Sequence, residues 1–127
     1  MEKITIEIIQ KCIAANSIEL APTHQRLCVP IINRICNKMR NDIKFDDIKI
    51  CDNLVINGHH RYISSLLAKK EIGNVPTQKT SATKIYEWMD VEFVEEEWDT
   101  QEKIDMLNKQ DADFNNVPIA EIYEMTN

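Results

Sequence analysis

Leu54-Val55-Ile56-Asn57-Gly58-His59-His60-Arg61-Tyr62 is the stretch whose reading decides the fold. Its three apolar residues favour a buried strand, Asn57-Gly58 suits a tight turn with positive φ, and residues 62–70 carry helical periodicity. A strand therefore hands over to a helix that holds two histidines and an arginine in its first turn. That turn has backbone N–H groups without intrahelical partners and lies at the positive end of the helix dipole, so an anion there meets donors and a favourable potential together. Gly58 allows close approach, Arg61 offers a planar five-donor cation suited to phosphate, and His59 and His60 add donors that an anion would draw into the charged form near neutral pH. Asn57, Gly58, His59, His60 and Arg61 thus read as one phosphate-binding turn. The plain alternative is a pair of surface histidines after a common hairpin turn. A metal shared by both histidines is disfavoured, because neighbouring side chains on one helix point about 100° apart.

The flanking residues read as support for this turn. Ile48-Lys49-Ile50-Cys51 alternates as a strand, and Asp52-Asn53 makes a two-residue hairpin into Leu54. In the following helix Ile63, Leu66 and Leu67 face the core and Ser64 and Ser65 lie near its start; Gly73 marks the helix end and Val75-Pro76 begins another strand. Upstream, Ile6, Ile9, Cys12 and Ile13 predict a helix over residues 5–15, although Ile4, Ile6 and Ile8 also alternate. Ile18-Glu19-Leu20 is a short strand ended by Pro22, with Glu19 facing away from its neighbours. Thr23-His24-Gln25-Arg26 reads as a polar turn. Pro30 opens a helix to about Arg40, on an apolar stripe of Ile32, Ile35, Cys36 and Met39. Downstream, residues 77–83 form a loop, residues 85–94 one or two strands, and Asp99 with Glu102 caps a helix running toward Gln110. A last short helix follows Val117-Pro118 and ends near Met125.

Composition sets bounds on this picture. The 127 residues, 43% hydrophobic and 28% charged with two glycines and four prolines, fit one soluble domain without linkers. A net charge of −6 works against generic duplex DNA binding, which rests on a basic surface, and leaves a free nucleotide or phosphorylated small molecule compatible. Asp90, Glu92, Glu95, Glu96, Glu97 and Asp99 form an acidic run that is either a solvated face or a surface for a basic protein partner. The chain shows neither a signal peptide nor a membrane-length apolar run, so a cytoplasmic location is expected. Cys12, Cys28, Cys36 and Cys51 lack CxxC spacing and read as reduced thiols in apolar surroundings.

Ile56-Asn57-Gly58-His59-His60-Arg61-Tyr62, followed by an apolar helix and Gly73-Asn74-Val75-Pro76, resembles the signature of the ParB/sulfiredoxin superfamily. The segment Ile18-Glu19-Leu20-Ala21-Pro22-Thr23-His24-Gln25 resembles the opening of the same domain, and together they cover about residues 17–77. The resemblance implies an α+β fold with a small mixed sheet and flanking helices, ATP or CTP as ligand with Mg2+, and phosphoryl transfer or phosphodiester cleavage. It implies His60 as donor to the bridging or leaving oxygen and Glu19 or His24 as base, with Arg26 nearby. Three departures qualify it. His59 stands where sulfiredoxins carry a nucleophilic cysteine, and imidazole cannot replace a thiolate in that chemistry. The partition proteins' G-E-R-R turn and basic helix-turn-helix are missing. The match is closest to the G-H-H-R form of free serine kinases, but Asn57 replaces an aspartate, so Glu19 or Asp52 would have to supply the carboxylate. The alternative is a non-catalytic, immunity- or antitoxin-like protein using its acidic run. Residues 84–127 match no signature and read as a lid, a partner surface or the rest of the core.

Overall fold

The computed structural model describes residues 3–126 and shows an α+β fold. The segment around Gly58 folds as its sequence predicts. Strand β2 (Ile48–Cys51) turns through Asp52, at φ 53°, into the antiparallel strand β3 (Leu54–Asn57), and Gly58 at φ 101° starts helix α3 (His59–Ala68). A Cβ on Gly58 would lie 2.6 Å from Ile48 Cγ2, so glycine is required by both conformation and space. Strand β4 (Asn74–Pro76) then pairs parallel with β2, giving a mixed sheet in the order β3-β2-β4.

Helix α1 (Ile6–Ala15) is capped by the Thr5 hydroxyl, which accepts from Ile8 N. Helix α2 (Val29–Arg40) has its proline in the first turn, where the missing N–H costs nothing. Between them Arg26, expected as the last residue of a polar turn, instead begins strand β1 (Arg26–Cys28). It pairs parallel with β5 (Glu92–Val94), Leu27 opposite Phe93. Beyond β5 come α4 (Gln101–Asn115) and α5 (Ile119–Thr126), separated by Asn116 at φ 54°.

Several other expectations are corrected. Residues 18–20 form no strand: only Ala21 makes a single parallel bridge to Leu54, and Pro22, lacking an N–H, cannot extend it. The segment is tied instead by Leu20, whose carbonyl accepts from Trp88 Nε1 at 2.7 Å and whose N–H points to Tyr62 Oη at 3.4 Å. Residues 85–94 hold one strand, β5, within the one or two expected, preceded by a 3-10 turn at Trp88–Asp90. Helix α3 is ended by Lys69 at φ 56°, whose N–H caps the Leu66 carbonyl; Gly73 lies beyond the helix, packed against Asp47. Ser64 and Ser65 sit buried in mid-helix, Ser64 Oγ donating to Ile32 O at 3.2 Å across the α2–α3 contact. The cap of α4 is Thr100, which accepts from Lys103 N, because the Asp99 carboxylate is drawn to Arg34 instead.

The main core gathers Ile9 and Ile13 of α1, Leu27 of β1, Ile32 and Cys36 of α2, and Ile63 of α3, with Trp88, Val91 and Phe93. Trp88, Val91 and Phe93 thus bring the segment before α4 into the main core. A smaller cluster of Ile43, Ala112 and Ile122 seats α5. The four cysteines are free; Cys28 and Cys36 are buried and Cys12 and Cys51 half-buried. No described helix is long and apolar enough to cross a membrane.

Candidate functional site

The β3–α3 turn opens onto a cleft of about 560 Å³ between α2 and α4. One face of α2 (Ile31, Arg34, Ile35, Lys38) and one face of α4 (Lys103, Ile104, Leu107, Asn108, Asp111) form the walls, both at helical spacing. Asn57, Gly58, His59, His60 and Arg61 line it together with His24, Phe45 and Trp98. Five of the residues read from sequence as a phosphate site, and His24 as well, are thus brought to one cavity. Glu19 is not among its lining residues; it is exposed and near enough to Tyr62 to help raise the phenol's pKa, behind burial as the larger cause. Asp52 sits at the exposed hairpin tip beside Lys79.

The first hydrogen bond of α3 runs from Tyr62 N to Gly58 O at 2.8 Å, so the amides of His59, His60 and Arg61 precede the helical ladder. Arg61 is held across the turn: Nη1 donates to the carbonyls of Asp46 (2.8 Å) and Asp47 (3.2 Å), and Nη2 approaches Asn57 Oδ1 at 3.4 Å. These partners are neutral acceptors, so the guanidinium charge is not cancelled by a direct carboxylate contact. Burial pushes its pKa down, opposed by Asp46 and Asp47, and the group stays cationic at neutral pH.

The histidines were expected to charge near neutral pH with an anion beside them; without one, both are held neutral. His59 is 2% exposed and stacks on His24 with ring centroids 4.0 Å apart. Its Nε2 accepts from Thr23 N at 2.9 Å, which assigns the proton to Nδ1, and Nδ1 is buried with no hydrogen-bond partner among the described residues. His60 Nε2 accepts from Cys28 N at 2.9 Å, and its ring meets the edge of Trp98. Burial, reinforced by His24, pushes His59 down to about 3 and His60 to about 4. Both rings are therefore neutral donors through Nδ1 at pH 7, because desolvation outweighs anything the sequence reveals.

The positive charge comes from elsewhere. Arg34, Lys38, Arg61 and Lys103 line the cleft against two carboxylates, Asp99 and Asp111. A cation excess in a chain of net charge −6 is a local field that composition conceals. Arg34 pairs with Glu97 and with Asp99 at 3.2 Å, and Lys38, 3% exposed, pairs with Asp111 at 2.7 Å. The acidic run is thereby divided: Glu92 and Glu97 stay exposed but pair with Arg26 and Arg34, Asp99 turns inward to Arg34, and Asp90, Glu95 and Glu96 are exposed. Sequence reasoning missed Arg34, Lys38, Trp98, Lys103, Asn108 and Asp111. The signal for α2 was a second stripe at residues 31, 34, 35 and 38, half apolar and half basic, beside the apolar one.

No described group of three or more His, Cys, Asp or Glu side chains is arranged to hold a metal ion. Asp99 and Asp111 already face cations, so the residues present do not fit a dedicated Mg2+ site. No protein-family model, no curated protein and no solved structure matches this chain.

Proposed function

We propose that this chain is a phosphate-binding domain that takes a nucleotide or other phosphorylated molecule at the N-terminus of α3. His59 carries this reading: a donor nitrogen buried without a partner, on the first residue of a helix, lining a cleft with a cation excess. Orphaned donors of that depth cost about 1–3 kcal/mol unless something fills them, and an anionic oxygen at a helix start is the group that would. The first-turn amides and Arg61 would complete its ligation. The order strand, glycine turn, helix, strand over residues 54–76, with the last strand laid parallel to β2, is what supports the ParB/sulfiredoxin resemblance.

Binding is better supported than turnover. Glu19 is outside the cleft, and the cleft carboxylates are paired with Arg34, Lys38 and Lys103. Phosphoryl transfer or phosphodiester cleavage would rest on His24 as base, an exposed imidazole at the cleft edge. An acidic docking face over residues 90–99 has less to rest on, with Glu92, Glu97 and Asp99 already in ion pairs.

The test is calorimetric titration with tripolyphosphate, ATP and CTP, with and without Mg2+. Arg61→Ala should weaken binding roughly 10- to 100-fold, the worth of a charge-assisted hydrogen bond of about 1.5–3 kcal/mol. Equal affinity in the variant, or no binding of any phosphate compound to the native protein, would refute the reading.

A further inference from the structure

The cleft also carries chemistry that a phosphate does not need. Asn108 of α4 lines it and is 1% exposed, and its Oδ1 has no hydrogen-bond partner among the described residues. The Tyr123 phenol donates to Asp105, and its oxygen faces the Asn108 amide as an acceptor, which leaves the carboxamide oxygen unmet. Lys38 Nζ is committed to Asp111 at 2.7 Å. A carboxamide buried this deeply with its oxygen unmet is costly, and it is the second group in the cleft, after His59, with an unmet polar atom. Around it the walls are apolar, with Ile35 on α2, Phe45, and Ile104 and Leu107 on α4. From Lys103 to Asp111 the lining face of α4 runs about 12 Å, far more than a phosphate group occupies. The volume falls in the range of small-molecule sites.

A carboxamide presents a donor and an acceptor side by side, the complement of a heteroaromatic base edge, while apolar walls suit the faces of such a ring. We propose that the cleft takes a nucleotide whose base lies between α2 and α4 with its polar edge on Asn108, which sets specificity for the base. This rests on the phosphate site at α3 and assigns the other end of the same ligand.

The experiment compares ATP, CTP and inorganic tripolyphosphate by calorimetry on the native chain and on Asn108→Leu, which keeps the branched shape and removes both polar atoms. The native chain should bind one nucleotide at least tenfold tighter than tripolyphosphate, and Asn108→Leu should erase that difference while leaving tripolyphosphate affinity unchanged. A folded Asn108→Leu protein that binds the nucleotide as well as the native chain overturns the proposal and leaves the phosphate site standing. So does a native chain that prefers neither nucleotide over tripolyphosphate. Failure of every compound, tripolyphosphate included, removes the phosphate site and this proposal with it. Should Asn108→Leu not fold, Leu107→Trp at the half-buried wall makes the same comparison: it should exclude the nucleotide and still admit tripolyphosphate, and unchanged nucleotide binding would count against the proposal.

Discussion

Mild acid is the perturbation that interrogates the two buried histidines. Each ring accepts a backbone amide through Nε2, His59 from Thr23 and His60 from Cys28, so protonation must both bury a charge and break a bond. Burial is the main reason their pKa values fall to about 3 and about 4, and both would titrate near 6.5 in the unfolded chain. The folded values are the lower ones, so between them and 6.5 the unfolded state holds more protons and stability rises with pH. Stability is therefore full above about pH 6.5 and drains as the pH falls toward 4 and 3. From pH 7 to pH 5 each histidine costs about 2 kcal/mol, about 4 kcal/mol for the pair. That is a large share of the roughly 5–15 kcal/mol that holds a domain together, and for a chain of this size it corresponds to a melting temperature lower by about 15 °C. Carboxylates held low by partners, such as Glu97 beside Arg34, titrate mainly below this window and leave it to the histidines. The assay is urea unfolding followed by circular dichroism at pH 7, 6 and 5. His59→Gln keeps an acceptor for Thr23 N and removes one titration, so its loss over the window should be about half. Stability that stays flat from pH 7 to 5, or a slope that His59→Gln leaves unchanged, would refute the burial argument.

Three further outcomes follow from the geometry. Gly58→Ala forces a side chain into φ 101° against Ile48, so urea unfolding should show a loss of about 2–3 kcal/mol. Thr100→Ala removes the cap that accepts from Lys103 N and should cost about 1 kcal/mol, whereas Asp99→Ala should leave the α4 cap intact and show its effect at Arg34. Lys38→Ala strands the partly buried Asp111 carboxylate and should cost about 2 kcal/mol or more; the double variant Lys38→Met/Asp111→Leu should recover most of it, since apolar replacements relieve the desolvation. Additive losses in the double variant would contradict that account.

The elements around Gly58 were legible because each rests on a local rule. A β-branched run, an Asn-Gly pair and an i, i+3, i+4 stripe need no distant partner to be read. Strand β1 was not legible, because Arg26-Leu27-Cys28 becomes a strand only when residues 92–94 arrive beside it. The α4 cap was misassigned by one residue because Asp99 and Thr100 are both good caps, and only the tertiary position of Arg34 decides which side chain is free for the task. Lys69 ends α3 in a left-handed conformation that a lysine does not advertise. At the site, the identity of the turn residues was readable and their charge state was not. Imidazole chemistry depends on burial, which the order of residues does not disclose. The α4 wall, with Asn108 and Lys103, lay wholly outside the motif and had no local signal to betray it.

The pairing of β1 with β5 has a consequence for how the chain emerges during synthesis. Cys28 meets the Glu96 carbonyl, and Leu20 meets Trp88, between positions 68 apart in the chain in each case. While only the first half of the protein exists, Leu27 and the inner faces of α1 and α2 have nothing to close over them. The nascent polypeptide thus carries an open apolar flank and a lone strand edge until the segment through Val94 has left the ribosome, a slow, long-range closure of the kind that invites chaperones.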